Sequence, residues 1–144
     1  MSAADLNVSP FKMRRLVFFL VAMGGFVGCA LASPLPSLAG VDRVEIWDRR
    51  TQDIHAKPRV FTNAQIIAQV VAIVQKNDGA WQSGAFTEPS GYLRLVFVKS
   101  SRMIAAVGVG PHFLVFGASD NWYSNQLDAD DEANLQRIAN STPN

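Results

Sequence analysis

His55 and His112 are the only histidines in the chain. A zinc site would need both of them plus carboxylates, and neither an H-x-x-x-H nor an H-E-x-x-H spacing occurs. Asp128-Ala129-Asp130-Asp131-Glu132 is dense enough in carboxylates to suggest calcium. It lacks the central glycine and the distal glutamate of a calcium loop, and it reads better as favourable charge at a helix N-terminus. Cys29 is the single cysteine, so it can form neither an intramolecular disulfide nor a cysteine-rich metal site. No G-x-S-x-G elbow is present. Gly108-Val109-Gly110-Pro111 is no phosphate loop, because proline replaces a needed amide and no helix follows. These residues set the expectation of a non-enzyme with no metal and no cofactor.

Aromatic residues beside polar ones offer a different chemistry, that of partner recognition. Asp120, Asn121, Trp122 and Tyr123 follow the last predicted strand of the sheet. On a loop they would form a protein-binding patch, since Trp and Tyr bury much area at modest entropic cost. The alternative is that Trp122 folds back over the edge of the core. Trp47 alternates with apolar neighbours in its strand and so falls on the outer side of the sheet, with Val96 and Val98. It is either exposed there or covered by the loop that follows. The net charge is +1, which leaves no electrostatic footprint for nucleic acid. Residues 33–102 hold nine bases and six acids, whereas 103–144 hold one base and five acids. An acidic surface carrying aromatics suits a basic protein partner, and a solvated acidic tail is the plainer reading.

The strongest local signal lies at the start. Leu16–Ala32 is uncharged and apolar, and Lys12, Arg14 and Arg15 precede it, the order of a secretory signal. The segment is short for a span, which takes ~20 apolar residues. Phe26-Val27-Gly28-Cys29 resembles a bacterial lipobox, with Phe26 in place of the usual aliphatic residue. Ala30-Leu31-Ala32 matches ordinary signal-peptidase cleavage before Ser33. Lipidation at Cys29, cleavage, and retention as an anchor are therefore the three fates. Ser33–Gly40, rich in Pro and Ser, reads as a tether. The whole resembles the small exported lipoprotein-type domains of bacteria. That resemblance implies an envelope location, periplasmic or membrane-anchored, and no particular activity.

The remaining residues position these candidates. The chain is 144 residues long, 49% hydrophobic and 17% charged, which suits one globular domain over 41–144. Val44 and Ile46 alternate with polar residues in a half-buried strand. Arg49–Arg59 is a loop or weak hairpin. Thr62 and Gln65 form a capping box with a Phe61–Ile66 staple, and Ile67, Val70, Val71 and Val74 share a helix face. Gly79 suits a left-handed cap. Ala80–Gly91 reads as a loop with Trp81 in the core. Tyr92–Lys99, Met103–Val109 and His112–Gly117 are strands joined by short turns, an antiparallel meander. Asp128 caps a second helix with Leu135, Ile138 and Ala139 on its apolar side. The expected fold is α+β: an antiparallel sheet of about four strands, in the order strand-helix-strand-strand-strand-helix, with helices on one face.

The function expected on these grounds is an exported, membrane-tethered envelope protein that binds another protein, as an inhibitor or toxin-immunity protein does. A ligand-binding or assembly module of an envelope complex is the second reading. A small hydrolase whose site assembles only in three dimensions is the third.

Overall fold

Leu93, Leu95 and Phe97 alternate with Arg94, Val96 and Val98, and this period of two makes one strand the floor of the core. All three are fully buried. The computed structural model describes residues 33–50, 56–76, 78–85, 91–118 and 120–143. Cys29 with the apolar segment 16–32, and His55, lie outside them.

The elements are β1 (Arg43–Asp48), β2 (Arg59–Phe61), α1 (Ala64–Gln75), β3 (Gln82–Ala85), β4 (Leu93–Lys99), β5 (Arg102–Gly110), β6 (Phe113–Ala118), β7 (Asn121–Gln126) and α2 (Ala129–Asn140). The fold is α+β with an antiparallel sheet and two helices, as expected. The sheet has seven strands rather than about four, in the order β2-β1-β4-β5-β6-β7-β3, and the chain runs as two strands, a helix, five strands and a helix rather than strand-helix-strand-strand-strand-helix. The additional strands are β2, which begins where Arg49–Arg59 reads as a loop or weak hairpin, and β3 and β7, whose own patterning reads as loop. Register sets the core face: Val44 pairs with Phe97, Ile46 with Leu95, Leu95 with Val107, and Val107 with Phe116. Ile67, Val70 and Val74 of α1 and Leu135 and Ala139 of α2 are buried in the same cluster.

Two local details differ from the sequence expectation. The cap of α1 is Asn63, not Thr62: its side chain accepts from the amides of Gln65 at 2.9 Å and Ile66 at 3.3 Å. Asparagine satisfies two orphan donors at once, so the helix starts one residue later. Gly79 is not a left-handed cap; the helix closes at Lys76 in a right-handed conformation. Asp128 does cap α2, accepting from the amide of Asp131 at 2.9 Å. The β4–β5 turn uses two serines with positive φ, 48° and 67°, the geometry of a type I′ hairpin. The Asp42 carboxylate accepts from the Ser100 amide at 2.7 Å and holds that turn.

Ser33–Gly40 is built into the domain rather than left as a free tether. Leu35 and Leu38 belong to the core, and the Lys99 ammonium donates to the Ala39 carbonyl at 3.0 Å. Pro/Ser composition is compatible with a linker, but two leucines three residues apart are enough apolar area to dock it. Leu38→Ala in a 33–144 fragment is expected to cost about 2–5 kcal/mol by urea unfolding. Gln69→Ala, on the exposed side of α1, is expected to stay within about 0.5 kcal/mol.

Candidate functional site

Both helices pack on one face of the sheet, so the residues between the core-facing ones point to the other. That outer face carries Val60 of β2, Arg43, Glu45 and Trp47 of β1, Arg94, Val96 and Val98 of β4, Met103, Ala106 and Gly108 of β5, Val115 and Gly117 of β6, and Trp122 of β7. Trp47 is 37%, Val60 38% and Met103 65% exposed, the large apolar side chains most open to solvent among the described residues. Val98 and Val115, on the same face, are buried.

A shallow groove of about 300 Å³ crosses this face, lined by Arg94, Met103, Ala106, Gly108, Gly117 and Trp122. Its depth comes from missing side chains. A Cβ on Gly117 would lie 2.7 Å from the Trp122 indole, and one on Gly108 would lie 2.6 Å from Val115. The bare backbone at Gly117 lets the Trp122 indole pack close against that strand, and the one at Gly108 makes room for Val115. Arg94 sits mid-face, opposite Trp47 on one side and Gly108 on the other. Trp122 lines the groove, and Trp47, the neighbour of Arg94 on β1, lies four strand spacings from it, roughly 19 Å at ~4.8 Å per strand.

The structure separates the residues expected to act together. Trp122 and Tyr123 are successive residues of a strand, not of a loop, so they point to opposite faces. Trp122 is half-buried over Gly117 on the outer face. Tyr123 opposes Phe116 and packs against the core, which removes it from any outer patch. Asp120 lies in the exposed β6–β7 turn and Asn121 opens β7, also exposed. Trp47 stands on the outer face as expected. Arg94, Met103, Gly108 and Gly117 line the site without any motif, because their proximity follows only from register. Trp81 is half-buried, edge-on to Phe116 with ring centroids 6.4 Å apart.

A second constellation lies at the opposite end of the sheet from the β4–β5 turn. Glu132, in the first turn of α2, accepts from the Tyr92 hydroxyl at 2.7 Å and from the His112 amide at 3.0 Å. The His112 Nδ1 is 3.3 Å from the same carboxylate, while the imidazole is 74% exposed. Gln136 donates to the Tyr92 hydroxyl at 3.0 Å, and the Arg50 guanidinium lies over the Tyr92 ring at 5.6 Å. The Tyr92 hydrogen bond holds the Glu132 carboxyl below its ordinary range, and burial pushes the Tyr92 phenol up. Both shifts fix the ordinary protonation state, the reverse of a general base poised near neutrality. The cluster is a clasp between the β5–β6 turn, β4 and α2. Beside it, the Lys76 ammonium donates to Asp128 at 2.6 Å and to Asp131 at 2.8 Å. No group of ligands fit for a metal occurs among the described residues.

No family model, curated protein or solved structure matches this chain.

A carboxyl whose pKa is depressed by folding stabilises the fold above its unfolded pKa and loses that contribution as pH falls through the folded value. Glu132→Gln is therefore expected to cost about 1 kcal/mol at pH 7. The gap between the two proteins should close as pH falls below about 4.3, the unfolded value. Urea midpoints at pH 7, 5 and 3 measure it; a gap unchanged at pH 3 would show that the clasp does not depend on the Glu132 charge.

Proposed function

We propose that this chain is a non-enzymatic, exported and membrane-tethered envelope protein of the inhibitor or toxin-immunity type, binding another protein through the outer face of its sheet. The observation that carries the binding reading is the exposure of Trp47 on the face opposite both helices, beside an open groove ending at Trp122. Large aromatic side chains left in solvent on a flat face are the usual anchors of a protein interface.

Export and tethering rest on the basic-then-apolar order of residues 12–32 and on Cys29 at the end of that stretch. With Leu35 already in the core, a lipid on Cys29 would leave only five intervening residues, so the six steps from Cys29 to Leu35 span at most about 22 Å. The partner would then be met close to the bilayer.

A photo-crosslinking residue in place of Trp47 tests the binding face in living cells. A discrete adduct is expected at position 47 and none at position 69, on the exposed side of α1. No adduct at 47, or equal labelling at 47 and 69, would remove the outer face from consideration. Loss of membrane fractionation in Cys29→Ser separately checks the tether.

A further inference from the structure

The charged groups of this molecule are for the most part either engaged internally or, like Lys57, Arg102, Asp120 and Asp130, exposed to solvent. The acidic residues that dominate 103–144 in the sequence gather at the start of α2. There Asp128 and Asp131 hold Lys76, Asp128 also caps the helix, and Glu132 holds Tyr92 and His112. Asp48 is bidentate with Arg50, and Arg59 donates to the carbonyls of Ala139 and Ser141 at the end of α2. On the outer face the carboxylate of Glu45 is engaged by Arg43 at 3.2 Å.

Arg94 stands apart from this pattern. It is half-buried, it is the one charged residue lining the groove among the described residues, and its guanidinium has no hydrogen bond or ion pair among them. Its surroundings in the groove are Met103, Ala106, Gly108, Gly117 and Trp122, none of which offers a side-chain acceptor. A guanidinium presents a planar fork of donors matched to a carboxylate, and it is weakly enough hydrated to be used at interfaces. A cation held among apolar side chains at the middle of a face is a specificity element, because a partner lacking a carboxylate there must bury it unpaired.

We propose that the partner protein inserts an Asp or Glu side chain, flanked by apolar residues, into the groove, where Arg94 takes the carboxylate and Trp122, Met103 and Trp47 take the apolar neighbours. The partner is therefore acidic at the point of contact. On this face the proposal runs opposite to the reading from charge layout alone, an acidic surface meeting a basic partner. This inference rests on the outer face being the binding surface.

The test uses the full chain in cells with the photo-crosslinker at position 47. Arg94→Glu is expected to lower adduct yield at least tenfold, Arg94→Met several-fold, and Arg94→Lys least, with melting temperatures of the purified proteins within a few degrees of one another. Mass spectrometry of the adduct then places the crosslinked segment of the partner. Changing its nearest carboxylate to Lys is expected to restore adduct formation to Arg94→Glu and to abolish it with the unaltered chain. Unchanged yield in Arg94→Glu, or a segment with no carboxylate within reach and no charge-swap rescue, overturns the carboxylate while leaving protein binding intact. Absence of any adduct at 47 overturns the binding face itself, and this inference with it.

Discussion

The rest of this structure depends on how completely the strands sort their side chains. Along β4 every second residue is apolar and wholly buried, and β1, β5 and β6 repeat that alternation in register with it. A sheet sorted in this way has one face that must be covered and one that need not be. Two short helices and two leucines from the segment before β1 cover the first. The second is left with the larger side chains of alternate positions and with three small residues, Ala106, Gly108 and Gly117, between them. The groove is thus not an addition to the fold but what remains when all of the covering material goes to one side.

The helices are short and rich in β-branched or polar residues, so their own propensity holds them weakly. Their ends are tied down by charge. Lys76 joins the end of α1 to the start of α2, Arg59 closes the end of α2, and Glu132 fastens its first turn to β4 and the β5–β6 turn. Carboxylates engaged in this way add little to the surface field. Net charge along the sequence and charge on a surface diverge here because pairing is decided by the fold.

The central architecture was legible in the residues: the alternation in Tyr92–Lys99, the helix face from Ile67 to Val74, and the Asp128 cap all signal their structures locally. The outer strands were not. β3 reads Gln-Ser-Gly-Ala and β7 reads Asn-Trp-Tyr-Ser-Asn-Gln, and neither has an apolar stripe of its own. They are strands because a neighbour offers them a ladder. The same gap explains the site. Trp47 falls on the outer face by the alternation of its own strand, whereas Trp122 reads locally as a loop residue beside Tyr123, because nothing in its segment marks a strand. Arg94 carries no local mark at all; its meaning comes from Gly108 and Trp47 beside it, residues far away in sequence.

The position of β3 at one edge of the sheet has a consequence for how the chain is made. Its partner β7 comes about 40 residues later, after the three strands that fill the space between β1 and β7. At ~5–20 residues per second of synthesis, β3 waits roughly 2 to 8 seconds for its ladder. A hydrophobic strand left open for that time would seek pairing with other chains. β3, with two polar residues, a glycine and an alanine, is the kind of strand that can wait in water without sticking to its neighbours on the ribosome.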